Sequence, residues 1–143
     1  MSIAQIMTHR NRLVTTAADA SLASLRDVFA KARFQHVPVT DSSNRLVGIV
    51  SVKDYFRELS PVMDSASDPA ISLFIRSRKV HQVMVSPVIT VNENTTVKQA
   101  AALLLQHNIG CLPVVDGQKH LIGLVSWKDI MRAALTRPAA PAV

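Results

Sequence analysis

A seven-residue pattern occurs twice in this chain and limits the folds open to it. Residues 48–54 read Gly-Ile-Val-Ser-Val-Lys-Asp, and residues 123–129 read Gly-Leu-Val-Ser-Trp-Lys-Asp. The same offset of 75 positions relates Pro38 to Pro113. A repeat this regular indicates two copies of one structural unit rather than one continuous pattern.

The length of the chain suits two small units that share a core. At 143 residues it could form one ordinary domain or two half-sized units. Apolar residues make up 48% and charged residues 18%, which is typical of a globular protein. A copy of about 55 residues buries too little apolar surface to be stable alone. We therefore expect the two copies to pair.

Several classes of protein are disfavoured. No apolar run approaches the roughly 18 residues that a membrane-spanning helix needs, and the first residues do not resemble a secretory signal, so we expect a cytoplasmic protein without membrane contact. Cys111 is the only cysteine, which excludes an intramolecular disulfide and a multi-cysteine metal site. The net charge of +6 is compatible with nucleic acid, an acidic partner, phosphorylated small molecules or simply a solvated basic surface.

Each copy predicts the element order β-α-β-β-α after one helical turn. The turns are residues 3–7 and 80–84, and β-branched extended stretches follow at residues 13–16 and 88–91. Because Met7 and Met84 differ by 77 positions, the first copy carries two extra residues here, which a loop tolerates.

A helix follows in each copy. Ser21 and Thr96 are predicted N-caps, and Gln99 completes a capping box with Thr96. The helices are expected to bury apolar residues at helical spacing, namely Leu22, Leu25, Phe29 and Ala32 in one copy and Val97, Ala100, Leu103 and Leu104 in the other.

A hairpin and a second helix complete each copy. Turns at residues 41–44 and 116–117 separate two strands, and Ser51 and Ser126 open the last helices. The strands are nearly continuous apolar runs, which predicts burial on both faces. The predicted organisation is therefore repeat 1 at residues 3–60, a linker at residues 61–79, repeat 2 at residues 80–135, and a flexible tail at residues 136–143. Within the linker, a short helix is predicted with Asp68 as its cap, Pro69 as its first residue and Ile75 as its last.

The Ser-x-x-Asp sequence at a helix start has two interpretations. It is a helix cap by default, because the serine oxygen accepts from a free amide and the carboxylate is stabilised by the positive end of the helix. The same groups can bind phosphate and ribose hydroxyls, and Lys53 and Lys128 place a cation beside them. An ordinary solvated lysine is the alternative for both.

These residues resemble the cystathionine-β-synthase (CBS) domain, in the tandem pair called a Bateman module. The resemblance rests on the apolar-Pro-Val strand start and on the Gly-apolar-apolar-Ser-x-x-Asp turn, each present twice. It implies an α/β (α+β) fold in which two β-α-β-β-α repeats pack about a pseudo-twofold axis. It also implies a regulatory module that requires no cofactor and binds AMP, ADP, ATP or a related adenosine compound such as S-adenosylmethionine.

The resemblance further implies two clefts, each combining the turn of one repeat with the strand start of the other. The first would contain Ser126, Lys128 and Asp129 with Gln35, His36, Val37 and Pro38, and the base near Val14 and Thr15. The second would contain Ser51, Lys53 and Asp54 with Gly110, Cys111, Leu112 and Pro113, and the base near Ile89 and Thr90.

The two clefts are expected to differ. Gln35 and His36 offer side-chain donors to a phosphate, whereas Gly110 and Cys111 offer only backbone and a weak thiol donor. We therefore expect the Asp129 cleft to bind better. The structural alternatives are that His36 is a partly buried histidine bonded to backbone and that Cys111 is a small buried apolar residue.

Rival functions follow from the same residues. The charge leaves a nucleic-acid-binding module open, although most aromatic residues lie on predicted core faces. A purely structural dimerisation module is a second alternative. An enzyme is disfavoured, because nucleophile-elbow, Walker A and dinucleotide motifs are absent and the five histidines lack metal-ligand spacing.

The family resemblance also implies a homodimer and a regulated partner protein in trans. The dimer would form near Tyr55, Phe56, Trp127 and Met131.

Overall fold

The computed structural model describes residues 1–31, 34–63 and 67–136. Within these ranges the chain forms two compact units. The central unit is Leu13–Val88, and the terminal unit combines Met1–Arg12 with Ile89–Val143. Ala32 and residues 137–143 of the expected tail lie outside the described residues.

The described residues contain five strands, five α-helices and three single 3-10 turns. The 3-10 turns are Ile3–Gln5, Arg10–Arg12 and Val80–Gln82. The strands and helices, in chain order, are β1 (Thr8–His9), α1 (Ala23–Ala30), β2 (His36–Thr40), β3 (Leu46–Ser51), α2 (Val52–Met63), α3 (Asp68–Ser77), α4 (Val97–His107), β4 (Cys111–Val115), β5 (Leu121–Ser126) and α5 (Trp127–Thr136).

The predicted hairpin is present in both units. Strands β2 and β3 pair antiparallel in the central unit, and β4 and β5 pair antiparallel in the terminal unit, where β1 adds a third strand beside β5. An aspartate at the start of each hairpin turn stabilises it. Asp41 Oδ1 accepts from the backbone amides of Ser43 and Arg45, and Asp116 Oδ1 accepts from those of Gln118 and His120. These side-chain contacts explain why aspartate opens both turns.

Each unit contains the opening turn of the other sequence repeat. In the central unit the amide of Val80 donates to the carbonyl of Ala20, and Ile49 and Val85 exchange two backbone hydrogen bonds. In the terminal unit the amide of Ile3 donates to the carbonyl of Thr95, and Thr8 pairs with Leu124. The two units are therefore not the two sequence repeats taken whole.

Glycine makes this exchange possible at the repeated motif. A Cβ on Gly48 would lie 2.5 Å from Met84 Sδ and 3.2 Å from the carbonyl oxygen of Val85. A Cβ on Gly123 would lie 2.6 Å from Met7 Sδ and 2.9 Å from the carbonyl oxygen of Thr8. Both methionines thus pack against a strand backbone that only glycine leaves uncovered.

Each unit has its own apolar core. Val80 and Ile3, the first residues of the two exchanged turns, are fully buried. The central core consists of Leu22, Leu25, Phe29, Val37, Val39, Val50, Tyr55, Leu59, Ile75 and Val80. The terminal core consists of Ile3, Met7, Val91, Ala100, Leu104, Leu112, Val114, Val125 and Ile130.

The mixed α and β fold with antiparallel sheets confirms the predicted class, and several details differ. The extended stretches before α1 and α4 form only single parallel bridges, Thr16 with Val39 and Val91 with Val114. Burial on both faces holds for β2 and β4, whereas β3 and β5 alternate between buried and half-buried residues. Strands β3 and β5 therefore each turn one face away from the core.

Of the predicted caps of α1, α3 and α4, one is confirmed. Thr96 and Gln99 form the expected capping box. Ser21 was predicted wrongly, because it is held in a bridge to Lys79 and α1 begins at Ala23 with Leu22 at the cap. The linker helix is capped by Ser67, not Asp68, and continues to Ser77.

The end of the first repeat also differs from the sequence interpretation. Helix α2 continues through Pro61 to Met63, so the predicted linker begins inside a helix. Among the described residues, no helix has the length and apolar composition that crossing a membrane requires.

Alanine substitutions at the glycines test the packing of the two methionines. We expect Gly123→Ala to lower the free energy of unfolding by about 2 kcal/mol, because the new Cβ meets a backbone carbonyl that cannot move aside. Gly48→Ala should cost about 1 kcal/mol, since the flexible end of Met84 can give way. Urea unfolding followed by circular dichroism measures both values.

Gly117 is the matched control. A Cβ there meets nothing within 4 Å, and its φ is not positive. Gly117→Ala should therefore change the unfolding free energy by less than about 1 kcal/mol. Equal losses at positions 48, 117 and 123 would show that the methionine contacts do not explain the glycines.

Candidate functional site

The first Ser-x-x-Asp turn joins β3 to α2 in the central unit. The amide of Ser51 donates to Asp54 Oδ2 at 2.9 Å, and the amide of Asp54 donates to Ser51 Oγ at 3.1 Å. The reciprocal bonds are those of a capping box with aspartate as the acid. The capping interpretation of this turn is confirmed.

The second turn joins β5 to α5 in the terminal unit and has the same bonds. The amide of Ser126 donates to Asp129 Oδ2 at 2.8 Å, and the amide of Asp129 donates to Ser126 Oγ at 3.4 Å. In addition, the Ser126 hydroxyl lies 3.1 Å from Asp129 Oδ2 and donates to it. Asp129 is therefore held by one more contact than Asp54.

The backbone carbonyls just before β2 and β4 cap the first amides of α2 and α5. The carbonyl of Gln35 accepts from the amide of Val52 at 2.8 Å, and the carbonyl of Gly110 accepts from the amide of Trp127 at 3.2 Å. These bonds occupy amides that an anion at the helix start could otherwise use. A phosphate there would depend mainly on the serine hydroxyl and on the exposed lysine of the same turn, Lys53 or Lys128.

Within each unit, the strand start lies beside the turn of its own repeat. His36 is the cross-strand partner of Ser51, and Cys111 is the cross-strand partner of Ser126. Burial lowers the pKa of His36, with Lys53 acting in the same direction and Asp54 opposing both. At neutral pH this imidazole is therefore uncharged, and it can accept as well as donate a hydrogen bond.

Cys111 is a buried thiol. Burial, with a further contribution from Asp129, raises its pKa to about 12. A protonated, buried thiol is a poor nucleophile and a poor metal ligand. The interpretation of Cys111 as a small apolar core residue is therefore supported.

The segments expected to hold a base also lie within the units. Val14 and Thr15 are half-buried and precede Thr16, whose amide donates to the carbonyl of Pro38 at 3.1 Å. Ile89 and Thr90 precede Val91, whose amide donates to the carbonyl of Pro113 at 3.0 Å. Val37, Pro38, Leu112 and Pro113 are themselves buried, so at these positions the chain offers a ligand mainly backbone and apolar surface.

The structure thus places the predicted site residues in two groups. The central unit holds Val14, Thr15, Gln35, His36, Val37 and Pro38 together with Ser51, Lys53 and Asp54. The terminal unit holds Ile89, Thr90, Cys111, Leu112 and Pro113 together with Ser126, Lys128 and Asp129. The combination of one repeat's turn with the other repeat's strand start stays a prediction.

Sequence reasoning missed one pair of side chains at these turns. Arg57 Nη1 lies 3.5 Å from Asp54 Oδ1, and Arg132 Nη1 lies 3.4 Å from Asp129 Oδ1. The two arginines are separated by the same 75 positions as the rest of the motif. The repeated string could therefore have been extended by three residues, to Ser-x-Lys-Asp-x-x-Arg.

Comparison with known families agrees with the duplicated architecture. The sequence profile described as the CBS domain matches residues 3–61 and again residues 80–136. The chain belongs to the CBS domain family.

Of the acidic, histidine and cysteine side chains that the structure describes, no three lie close enough together to hold a metal ion.

Among solved structures, this CBS pair is similar to CBSX2 from Arabidopsis thaliana. The crystal structure of CBSX2 in complex with AMP is 29% identical, has a TM-score of 0.76, and the match covers 94% of this chain and 96% of that one. A putative acetoin utilization protein from Vibrio cholerae is 25% identical with a TM-score of 0.75, covering 94% and 90% of the two chains.

Curated relatives are longer proteins. Inosine-5'-monophosphate dehydrogenase of Mycobacterium tuberculosis is 32% identical over 120 residues, which are 83% of this chain and 20% of that enzyme. L-aspartate semialdehyde sulfurtransferase of Methanocaldococcus jannaschii is 25% identical over 83% of this chain and 21% of its own length. The CBS pair thus spans about a fifth of the length of these relatives.

The raised pKa of Cys111 predicts slow alkylation in the folded protein. At pH 8, a thiol with a pKa of about 12 carries roughly a thousandfold less thiolate than one with an ordinary pKa. Iodoacetamide should therefore modify Cys111 at least about a hundredfold faster in the unfolded chain than in the folded one. Mass spectrometry with and without urea measures the two rates, and similar rates would contradict the assignment of Cys111 to the core.

Proposed function

We propose that this CBS pair is a regulatory module that binds an adenosine nucleotide at its Ser-x-x-Asp turns and whose occupancy is sensed by a partner protein. The observation that carries the proposal is the turn itself, built twice with a largely buried carboxylate, a serine hydroxyl and an exposed lysine. The occurrence of the similar protein CBSX2 in complex with AMP supports the choice of ligand.

The chemistry of the turn suits a nucleoside phosphate. An aspartate carboxylate accepts from both hydroxyls of a ribose, and a lysine ammonium donates to a phosphate. The Ser51 hydroxyl can donate to the same phosphate, whereas the Ser126 hydroxyl must first give up its bond to Asp129 Oδ2. The apolar segments that contain Val14 and Ile89 offer a surface against which an adenine can stack. In this proposal Asp54 and Asp129 recognise the sugar, and Lys53 and Lys128 recognise the phosphate.

Calorimetric titration with AMP, ADP, ATP and S-adenosylmethionine tests the proposal. We expect at least one phosphorylated adenosine compound to bind. Because Gln35 and His36 are assigned by the family resemblance to the Asp129 turn, Asp129→Ala should weaken binding more than Asp54→Ala. No heat with any of the four compounds at high micromolar protein would refute nucleotide binding.

Two controls separate lost recognition from lost folding. Asp129→Asn and Asp54→Asn retain an oxygen that can cap the helix but remove the charge. A double-mutant cycle between His36→Ala and each aspartate variant then reports which turn shares a ligand with His36. Coupling to Asp129 would support the family assignment, whereas coupling to Asp54 would favour the arrangement seen inside the central unit.

We also propose that the module forms a homodimer through apolar side chains of α2 and α5. Phe56 and Met131, which occupy equivalent positions, are 52% and 60% exposed. Tyr55, which the sequence placed on the same surface, is buried against Phe29 and belongs to the central core. Trp127, also predicted there, is half-buried and packs against the terminal core. The proposed contact residues are therefore Phe56 and Met63 on α2 and Met131 and Leu135 on α5.

Light scattering coupled to size exclusion tests the dimer. The wild-type protein should elute with twice the chain mass of 15.6 kDa. Phe56→Glu and Met131→Glu should shift it toward the monomer, because each places a charge in an apolar interface. Leu105→Glu is the matched control, since Leu105 is 70% exposed on α4, outside the proposed surface. A wild-type monomer would contradict the proposal.

A further inference from the structure

The aspartate of each Ser-x-x-Asp turn is held from two sides. One side is the helix start, where Oδ2 accepts from the serine amide. The other side is an arginine one helical turn later, whose Nη1 faces Oδ1 at 3.5 Å for Arg57 and 3.4 Å for Arg132. Both contacts recur in the two repeats, although the units differ in sequence around them.

Burial separates the two partners of the ion pair. The side chains of Asp54 and Asp129 are 14% and 11% exposed, whereas those of Arg57 and Arg132 are 76% and 70% exposed. Each arginine therefore approaches its carboxylate from the solvent side. Oδ2 accepts the cap bonds, whereas Oδ1 faces the exposed arginine and is the oxygen that we expect a ligand to reach.

The carboxylate plane needs more than one contact to be fixed. The χ2 torsion of aspartate is broad, so a single bond at Oδ2 leaves the plane free to turn. A second contact at Oδ1 restricts that motion. A vicinal diol requires a defined plane, because both of its hydroxyls must point at acceptors at the same time.

We propose that Arg57 and Arg132 are positioning residues that set the preference of each turn for a ribose diol over a deoxyribose. This inference rests on the proposed nucleotide function. The arginines act through the aspartates and need not touch the ligand. An oxygen that accepts from arginine retains a second lone pair, so Oδ1 can bind a hydroxyl while the guanidinium is in place.

The two repeats should depend on their arginines to different degrees. Asp129 Oδ2 receives an additional bond from the Ser126 hydroxyl, whereas Asp54 Oδ2 accepts only from the amide of Ser51 and not from its hydroxyl. The plane of Asp54 therefore relies more on its arginine. Loss of Arg57 should reduce diol preference more than loss of Arg132.

The test measures diol preference as the dissociation constant of 2′-deoxy-AMP divided by that of AMP, and this quotient is the ratio used below. Arg57→Gln is examined in an Asp129→Ala background, and Arg132→Gln in an Asp54→Ala background, so that one turn is read at a time. We expect Arg57→Gln to lower the ratio about two- to threefold, the effect of an exposed ion pair at this spacing. Arg132→Gln should lower it less, and Arg57→Lys should recover part of the loss.

Lys53→Gln and Lys128→Gln are matched controls, because they remove the same charge one residue before each aspartate. They should weaken both nucleotides in proportion and leave the ratio unchanged. An unchanged ratio in Arg57→Gln, whether or not both nucleotides bind more weakly, would overturn the inference and leave nucleotide binding intact. If neither AMP nor 2′-deoxy-AMP binds the wild-type protein, the inference is overturned, whereas the proposed function fails only if ADP, ATP and S-adenosylmethionine do not bind either.

Discussion

The packing of a methionine against a bare strand backbone is the contact on which the rest of this structure depends. Met84 lies on Gly48 and Met7 lies on Gly123, and each contact brings the opening turn of one repeat into the unit of the other. These turns deliver the fully buried residues Val80 and Ile3 to the two cores. Without the glycines, the backbone bonds around Ile49 and Thr8 could not form at this distance.

The same glycines lie within the strands that end at the candidate site. Gly48 lies three residues before Ser51, and Gly123 lies three residues before Ser126. The strand must be held in place at the glycine for the serine three residues later to meet the helix start, because the cap bonds are short and directional. The repeated motif therefore combines a packing requirement at its first residue with the proposed recognition of a ligand at its last.

Much of this could be predicted from local sequence. The hairpins, the Thr96 capping box and the helix starts at Ser51 and Ser126 follow from patterns within a few residues, and the structure confirms them. The exchange of opening turns could not be predicted, because Met84 and Gly48 meet only through tertiary packing. The wrong cap at Ser21 has the same origin, since a distant bridge to Lys79 overrides its local preference. Arg57 and Arg132 were visible in the repeat but have no role until their distances to the carboxylates are known.

The exchange also gives the chain a nested order. The central unit is one continuous segment, whereas the terminal unit is assembled from both ends of the described sequence. Strand β1, formed by Thr8 and His9, completes a sheet whose other strands follow more than a hundred positions later. A substitution near Met7 therefore changes the packing of β5, which ends at the turn of Asp129, although β5 lies in the other sequence repeat. Fusions or deletions within residues 1–12 therefore act on the terminal unit, most of which comes from the second half of the sequence.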